Sequence, residues 1–196
     1  MTDDFFKFIL ETNKENFTNS QKEIFSDKDY NPYSNDLEVL EEFLSTQQFD
    51  KAVAFNNINL LLSPRAHFYK NYALEKLGKE KDAQSELVFA HKIMEGICTT
   101  GDGTEENPYL VTRISDERDI LSYLSEEKES QMLVQKDGKY FDLLNCKSGK
   151  AIYFDITTPY TKMQELMDSG KISLFGSEEA EEDASASNKK WWQFWK

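Results

Sequence analysis

An α+β fold is what the sequence predicts, and three observations carry it. Before residue 96 the apolar side chains recur at three- and four-residue steps, the period of helices. After it they fall into short β-branched and aromatic runs bounded by turn residues, the pattern of strands. The stretch 176–188 holds only Gly, Ser, Ala, Glu, Asp and Asn, which cannot bury enough surface to offset chain entropy. The expected organisation is therefore a helical-hairpin part (1–96), a small α+β part with an antiparallel sheet (97–175), a disordered acidic linker (176–188) and an aromatic-basic terminal motif (189–196).

The elements follow in order. Residues 4–12, with Phe5, Phe8 and Ile9 on one face, and 19–26, with Ile24 and Phe25, read as short helices before the turn Tyr30-Asn31-Pro32-Tyr33. Asn35 followed by Glu38 suggests a capping box, and Leu37, Leu40 and Leu44 continue the helix to about residue 48. A second helix is expected over 50–62, stopped by Ser63-Pro64, and a third over 65–77, closed by Gly78. Ala83, Leu87, Ala90 and Met94 make one stripe on a fourth, which Gly96 is expected to end. Ala83, Leu87 and Ala90 also fit the small-bulky-small pattern of tetratricopeptide repeats, so residues 35–95 resemble two such hairpins, although Asn56 and Asn59 depart from the pattern in the first.

Strands are expected over 109–115, 130–136, 139–146 and 150–157. Asp137-Gly138 is a two-residue hairpin signal, Ser148-Gly149 marks a second turn, and Ser115-Asp116 can open a helix over 117–124. A last helix, 161–168, follows Pro159 and ends at Gly170.

Composition narrows the function. The 196 residues are 39% hydrophobic and 13% aromatic, enough for a core without metal or disulfide staples. A net charge of -13 repels phosphate backbones, so nucleic acid is not an expected partner. Cys98 and Cys146 form no CxxC pair and read as reduced thiols. Acids at Asp3 and Asp4 are unlike a secretory leader, and no run approaches the roughly 20 apolar residues of a membrane span, so a cytoplasmic chain is expected, with peripheral contact at the inner membrane face as the variant.

Tyr30-Asn31-Pro32-Tyr33, the repeat-like helices, Gly101-Asp102-Gly103-Thr104, the Ser115-Asp116-Glu117 helix start and Ile152-Tyr153-Phe154-Asp155-Ile156 together resemble the bacterial family labelled domain of unknown function 4919, over roughly residues 30–160. The resemblance implies a bacterial origin. It brings no established activity.

Candidate chemistry is sparse. His67 and His91 have no companion ligands at metal spacing and are expected in ordinary helix-surface or interface roles. His91 and Cys98, seven apart, would align as a nucleophile pair only if the helix ran past Gly96. The loop 101–108 has the glycines and carboxylates of ion-binding loops but lacks the alternating acids of a calcium loop and the lysine of a phosphate loop. No catalytic residue, metal or cofactor is assigned. The terminal cluster differs, because Trp191, Trp192, Phe194 and Trp195 crowd beside Lys189 and Lys190 after a polar linker. It reads as a docking motif for a protein partner, as an interfacial membrane anchor, or as a cover folded on the chain's own surface. The expected function is non-enzymatic: an adaptor-like protein using a helical groove and this motif. The alternatives are a toxin-neutralising, immunity-type protein or a membrane-tethered one.

Overall fold

A computed structural model describes residues 2–170, as eight helices, a 3-10 turn and four strands. Helix α1 (Asp3–Leu10) is capped by Thr2, whose hydroxyl accepts from the Phe5 amide at 3.2 Å, and it buries Phe5 and Phe8. Helix α2 (Lys14–Ser26) begins five residues earlier than the apolar pattern predicts, because Asn13 caps it through the Asn16 amide at 2.9 Å. Its first inward turns are partly polar, with Asn16 and Ser20 buried beside Phe17, which conceals the helix from a hydrophobic-period reading.

Helix α3 (Asp36–Ser45) forms without the expected capping box, since Asn35 makes no cap bond; Ser34 donates instead to Asp36 at 2.5 Å. The single helix expected over 50–62 is broken into α4 (Phe49–Ala54) and a 3-10 turn (Ile58–Leu60). Asparagine side chains compete for the backbone here. Asn57 accepts from the Asn59 amide at 3.0 Å, while Asn59 accepts from the Asn31 amide at 2.7 Å and donates to Asp36 at 2.9 Å.

Helix α5 (Pro64–Lys76) starts on its proline and ends in a Schellman motif: Gly78, at φ +68°, donates to Glu75 and Lys79 donates to Leu74. Helix α6 (Glu80–Thr100) runs straight through Gly96, correcting the expectation that it stops there. A β-carbon at Gly96 would lie 2.6 Å from the rings of both Phe8 and Phe17. The glycine is thus a contact surface that lets α1 and α2 approach α6, and not a helix terminator.

The sheet has the order β1-β4-β3-β2, with β1 (Tyr109–Leu110), β2 (Lys128–Lys136), β3 (Lys139–Cys146) and β4 (Ala151–Asp155). The three last strands form the expected antiparallel meander, but β1 runs parallel to β4, so the sheet is mixed and not wholly antiparallel. A parallel partner needs a long crossover, and helix α7 (Asp116–Tyr123) with the β2-β3 hairpin supplies it. The predicted first strand is cut to two residues because Thr112 is claimed elsewhere: its carbonyl accepts from the Tyr30 hydroxyl at 2.7 Å and its hydroxyl from Gln21 at 3.2 Å. Asp137 (φ 51°) and Gly138 (φ 76°) make the left-handed two-residue hairpin that the sequence signals. Helix α8 (Thr157–Asp168) starts four residues early, since Pro159 sits in a first turn that needs no amide donors.

The larger core is continuous across helices and sheet, joining Phe5, Phe8 and Phe17 to Ile97, Ile120, Leu144 and Phe154. A smaller one, around Leu37, Leu40, Ala52, Ala66 and Ala73, lies between α3, α4 and α5.

Candidate functional site

Helix α5 carries a polar seam on its inward face. Ala66, Lys70 and Ala73 fall at i, i+4 and i+7, one buried stripe, with His67 and Asn71 beside it. His67 is 2% exposed, not on the surface: Nδ1 meets Glu86 of α6 at 2.5 Å and Nε2 meets the Leu61 carbonyl at 3.0 Å. Its ring stacks on Phe5 and meets Phe89 edge-on. With both nitrogens facing acceptor oxygens, the imidazole ties α1, α5, α6 and the 3-10 turn together and has no free nitrogen to serve as a base.

Lys70 is 5% exposed, and among the described residues its ammonium has one hydrogen-bond partner, the neutral Asn56 side chain at 2.5 Å. Burial pushes its pKa down, and the charge of Glu86 offsets this in part. Lys70 and His67 line a cavity of about 250 Å³ together with Thr2, Asn57, Ile58, Leu60, Leu61 and the exposed Asn56. The sequence reading missed this lysine, though its position in the stripe between Ala66 and Ala73 was the signal that it is buried.

A second polar cluster lies under α7. Asp116, Glu117 and Asp119 are all buried, together with Asp142 of β3. Arg65 holds Asp119 at 2.8 Å, and Arg113 reaches back to the Ser34 hydroxyl and carbonyl at 2.8 and 2.7 Å while its amide donates to Asp116. Glu117 is hydrogen-bonded to Asp142, and burial with that neighbouring charge pushes its pKa up to about 10, so the two carboxyls share a proton at neutral pH. Burial, then Asp119, raises Asp116 to about 7. One oxygen each of Asp116, Glu117 and Asp119 finds no partner among the described residues. In sequence these acids look like ordinary solvated charges at a helix start, which is why Asp116 and Glu117 read there as a helix opening with no chemical role.

The other sequence candidates separate. Helix α6 runs past Gly96, so His91 and Cys98 do share a face of it, but seven residues set them about 10 Å apart along the axis, beyond hydrogen-bond reach. His91 packs edge-on against Phe68, and burial raises the Cys98 thiol pKa, the direction of an inert sulfur. Both cysteines are free thiols. The 101–108 loop closes on itself: Asp102 accepts from the amide and hydroxyl of Thr104, and the Gly103 carbonyl accepts from Tyr153 of β4. It is a turn stitched to the sheet. Among the described residues no three His, Cys, Asp or Glu side chains converge as ligands for a metal. Helices long and apolar enough to cross a membrane are likewise lacking among them. The linker 176–188 and the partner-binding candidates Lys189, Lys190, Trp191, Trp192, Phe194 and Trp195 lie outside the described residues.

The outer sheet strand is the most open element. Strand β2 is nine residues long and last in the sheet order; all but one of its residues are exposed, Met132 to 54% and Leu133 to 48%. In a two-residue hairpin the flanking Lys136 and Lys139 exchange both ladder bonds, so alternate residues of β2, Leu133 among them, turn their amides outward.

Helices packed on a small mixed sheet, with a buried lysine cavity and an open strand edge, define an α+β protein whose fold alone names no reaction. The family model described as domain of unknown function DUF4919 matches residues 13–165, and the chain belongs to that family. No curated protein and no solved structure is detectably similar to it.

Proposed function

We propose that this chain is a non-enzymatic binding protein that recognises another protein, with the outer edge of β2 as the folded contact and the Trp191-Trp192-Gln193-Phe194-Trp195 motif as a second, tethered one. The observation that carries the reading is the β2 edge. Sheet edges of this length are ordinarily blunted by brevity, proline or bulges, because a row of free amides and carbonyls templates another strand. Here a register irregularity between Lys128 and Ser130 and the charges of Lys128, Glu129 and Lys136 sit towards the ends, and the middle of the edge, Met132-Leu133-Val134, is regular and uncharged. An extended segment pairing there gains main-chain hydrogen bonds, and the side chains of Met132 and Leu133, on opposite faces, supply selectivity. The net charge of -13 favours a partner with a basic surface. Two weak contacts joined through one chain reinforce each other by raising local concentration.

The test compares three versions of the full chain as bait: unaltered, ending at residue 188, and carrying Leu133→Pro, which removes an outward amide without touching the β2-β3 ladder. A single protein held by the first and bound at least about tenfold more weakly by each of the others is the expected result. A partner held equally by all three contradicts the proposal.

A further inference from the structure

The cavity beside Lys70 has a chemistry of its own, independent of the β2 edge. A buried ammonium ordinarily has a carboxylate against it, because desolvation is otherwise uncompensated. Lys70 forms no ion pair among the described residues, and the nearest acid that influences it, Glu86, is committed to His67. Of its three N–H donors, one is used, on Asn56. Two remain, on a side chain that is 95% buried and lines a cavity of about 250 Å³. Asn57 adds a polar side chain to the same wall: its oxygen accepts from the Asn59 amide, and its NH₂ donates to none of the described residues. The rest of the lining is Thr2, the His67 ring and the aliphatic side chains of Ile58, Leu60 and Leu61.

We infer that this cavity binds a small organic monocarboxylate, its carboxylate held by Lys70 and Asn57 and its short hydrocarbon part against Ile58, Leu60 and Leu61. The charge of the occupant follows from the balance of the walls. One ammonium invites one negative charge, and His67 and Glu86 are spent on each other, so a phosphate dianion fits less well than a carboxylate. The size of the occupant follows from the volume, which lies below the roughly 300–1,000 Å³ of drug-sized sites and suits a molecule of about six to ten heavy atoms. The site joins α1, the 3-10 turn and α5, so an occupant would also brace the asparagine-rich break between α4 and α5.

The experiment is an amide-resolved NMR titration of the full chain with butyrate, using butyramide and inorganic phosphate as comparisons, repeated on Lys70→Met. Thermal melts of both proteins confirm that each is folded. The expected result is saturable shifts confined to the amides of Asn57, Ile58, Leu61 and His67 with butyrate, at a dissociation constant in the millimolar range. Butyramide and phosphate bind at least tenfold more weakly, and Lys70→Met loses at least tenfold in butyrate affinity. Equal binding of butyrate and butyramide, unchanged butyrate affinity in Lys70→Met, or shifts that grow linearly and scatter over the surface would each overturn the inference.

Discussion

Three residues show how burial changes what an ordinary side chain does. Glu117 is pushed up to about 10 by burial and Asp142, so the folded chain keeps a proton that the unfolded chain releases above pH ~4.5. A raised carboxyl pKa contributes stability fully at acid pH and loses it as pH climbs toward the folded value. Glu117→Gln keeps a donor toward Asp142 without the titration, so it is expected to leave the urea midpoint nearly unchanged at pH 4.5 and to raise stability by about 1–3 kcal/mol at pH 8. Midpoint curves that run parallel for the two proteins across that range would refute the shared proton. Lys70 works with the opposite sign, since its lowered pKa makes the charged form a cost that shrinks as pH rises toward the unfolded value. Lys70→Met should stabilise the ligand-free chain by about 1–2 kcal/mol near neutral pH, with the gain shrinking on the alkaline side, and Asn56 is exposed enough to hydrate once its partner is gone. A chain made less stable by that change would mean that the ammonium is structurally satisfied. At Gly96, alanine gains about 1 kcal/mol of helix propensity but forces a methyl into the rings of Phe8 and Phe17. Overpacking of that kind costs about 1–3 kcal/mol, so a net loss measured by chemical denaturation is expected.

At the level of elements, the sequence was most legible where local chemistry and tertiary packing agree. Pro64, Gly78 and Asp137-Gly138 each mark a boundary through backbone geometry alone, and each boundary stands within a residue or two of its predicted place. It was least legible where a polar side chain is buried. Asn16 and Ser20 hid the first half of α2, Asn57 and Asn59 broke a helix whose apolar spacing continued, and Gln21 with Tyr30 drew Thr112 away from β1. The Asn13 and Asn57 bonds are local caps, two or three residues apart, that apolar spacing does not register, whereas the bonds of Gln21 and Tyr30 to Thr112 join residues 91 and 82 apart, whose pairing no local pattern encodes. The same reason kept the candidate site out of view: Lys70, Glu86 and Asn56 meet only after folding, and the acids of α7 read as solvated until Arg65 of α5, the Arg113 amide and Asp142 of β3 meet them. The break at Asn57 is itself testable. Asn57→Ala removes the cap of the 3-10 turn and should cost about 1 kcal/mol, with faster amide exchange confined to residues 55–62. Exchange that speeds equally in α6 would mean that the turn is not a separate unit of stability.

For the whole molecule, the continuous core from Phe5 to Phe154 fixes β3 and β4 on the helices and so holds β2 at the sheet edge, where no other described strand pairs with its outer side. Rigid scaffold and open edge together suit docking without rearrangement. The lysine cavity lies on the helical elements and β2 at the far end of the sheet order, so the two proposed contacts use different elements and can be tested apart. Amide hydrogen exchange of the full chain, alone and saturated with the captured partner, reads the proposed strand pairing at β2 residue by residue. The outward amides of Gln131, Leu133 and Gln135 are expected to exchange rapidly in the free chain and to become strongly protected in the complex, while their inward neighbours at Met132 and Val134 are already protected in both. Unchanged exchange at Leu133 in a saturated complex would contradict it.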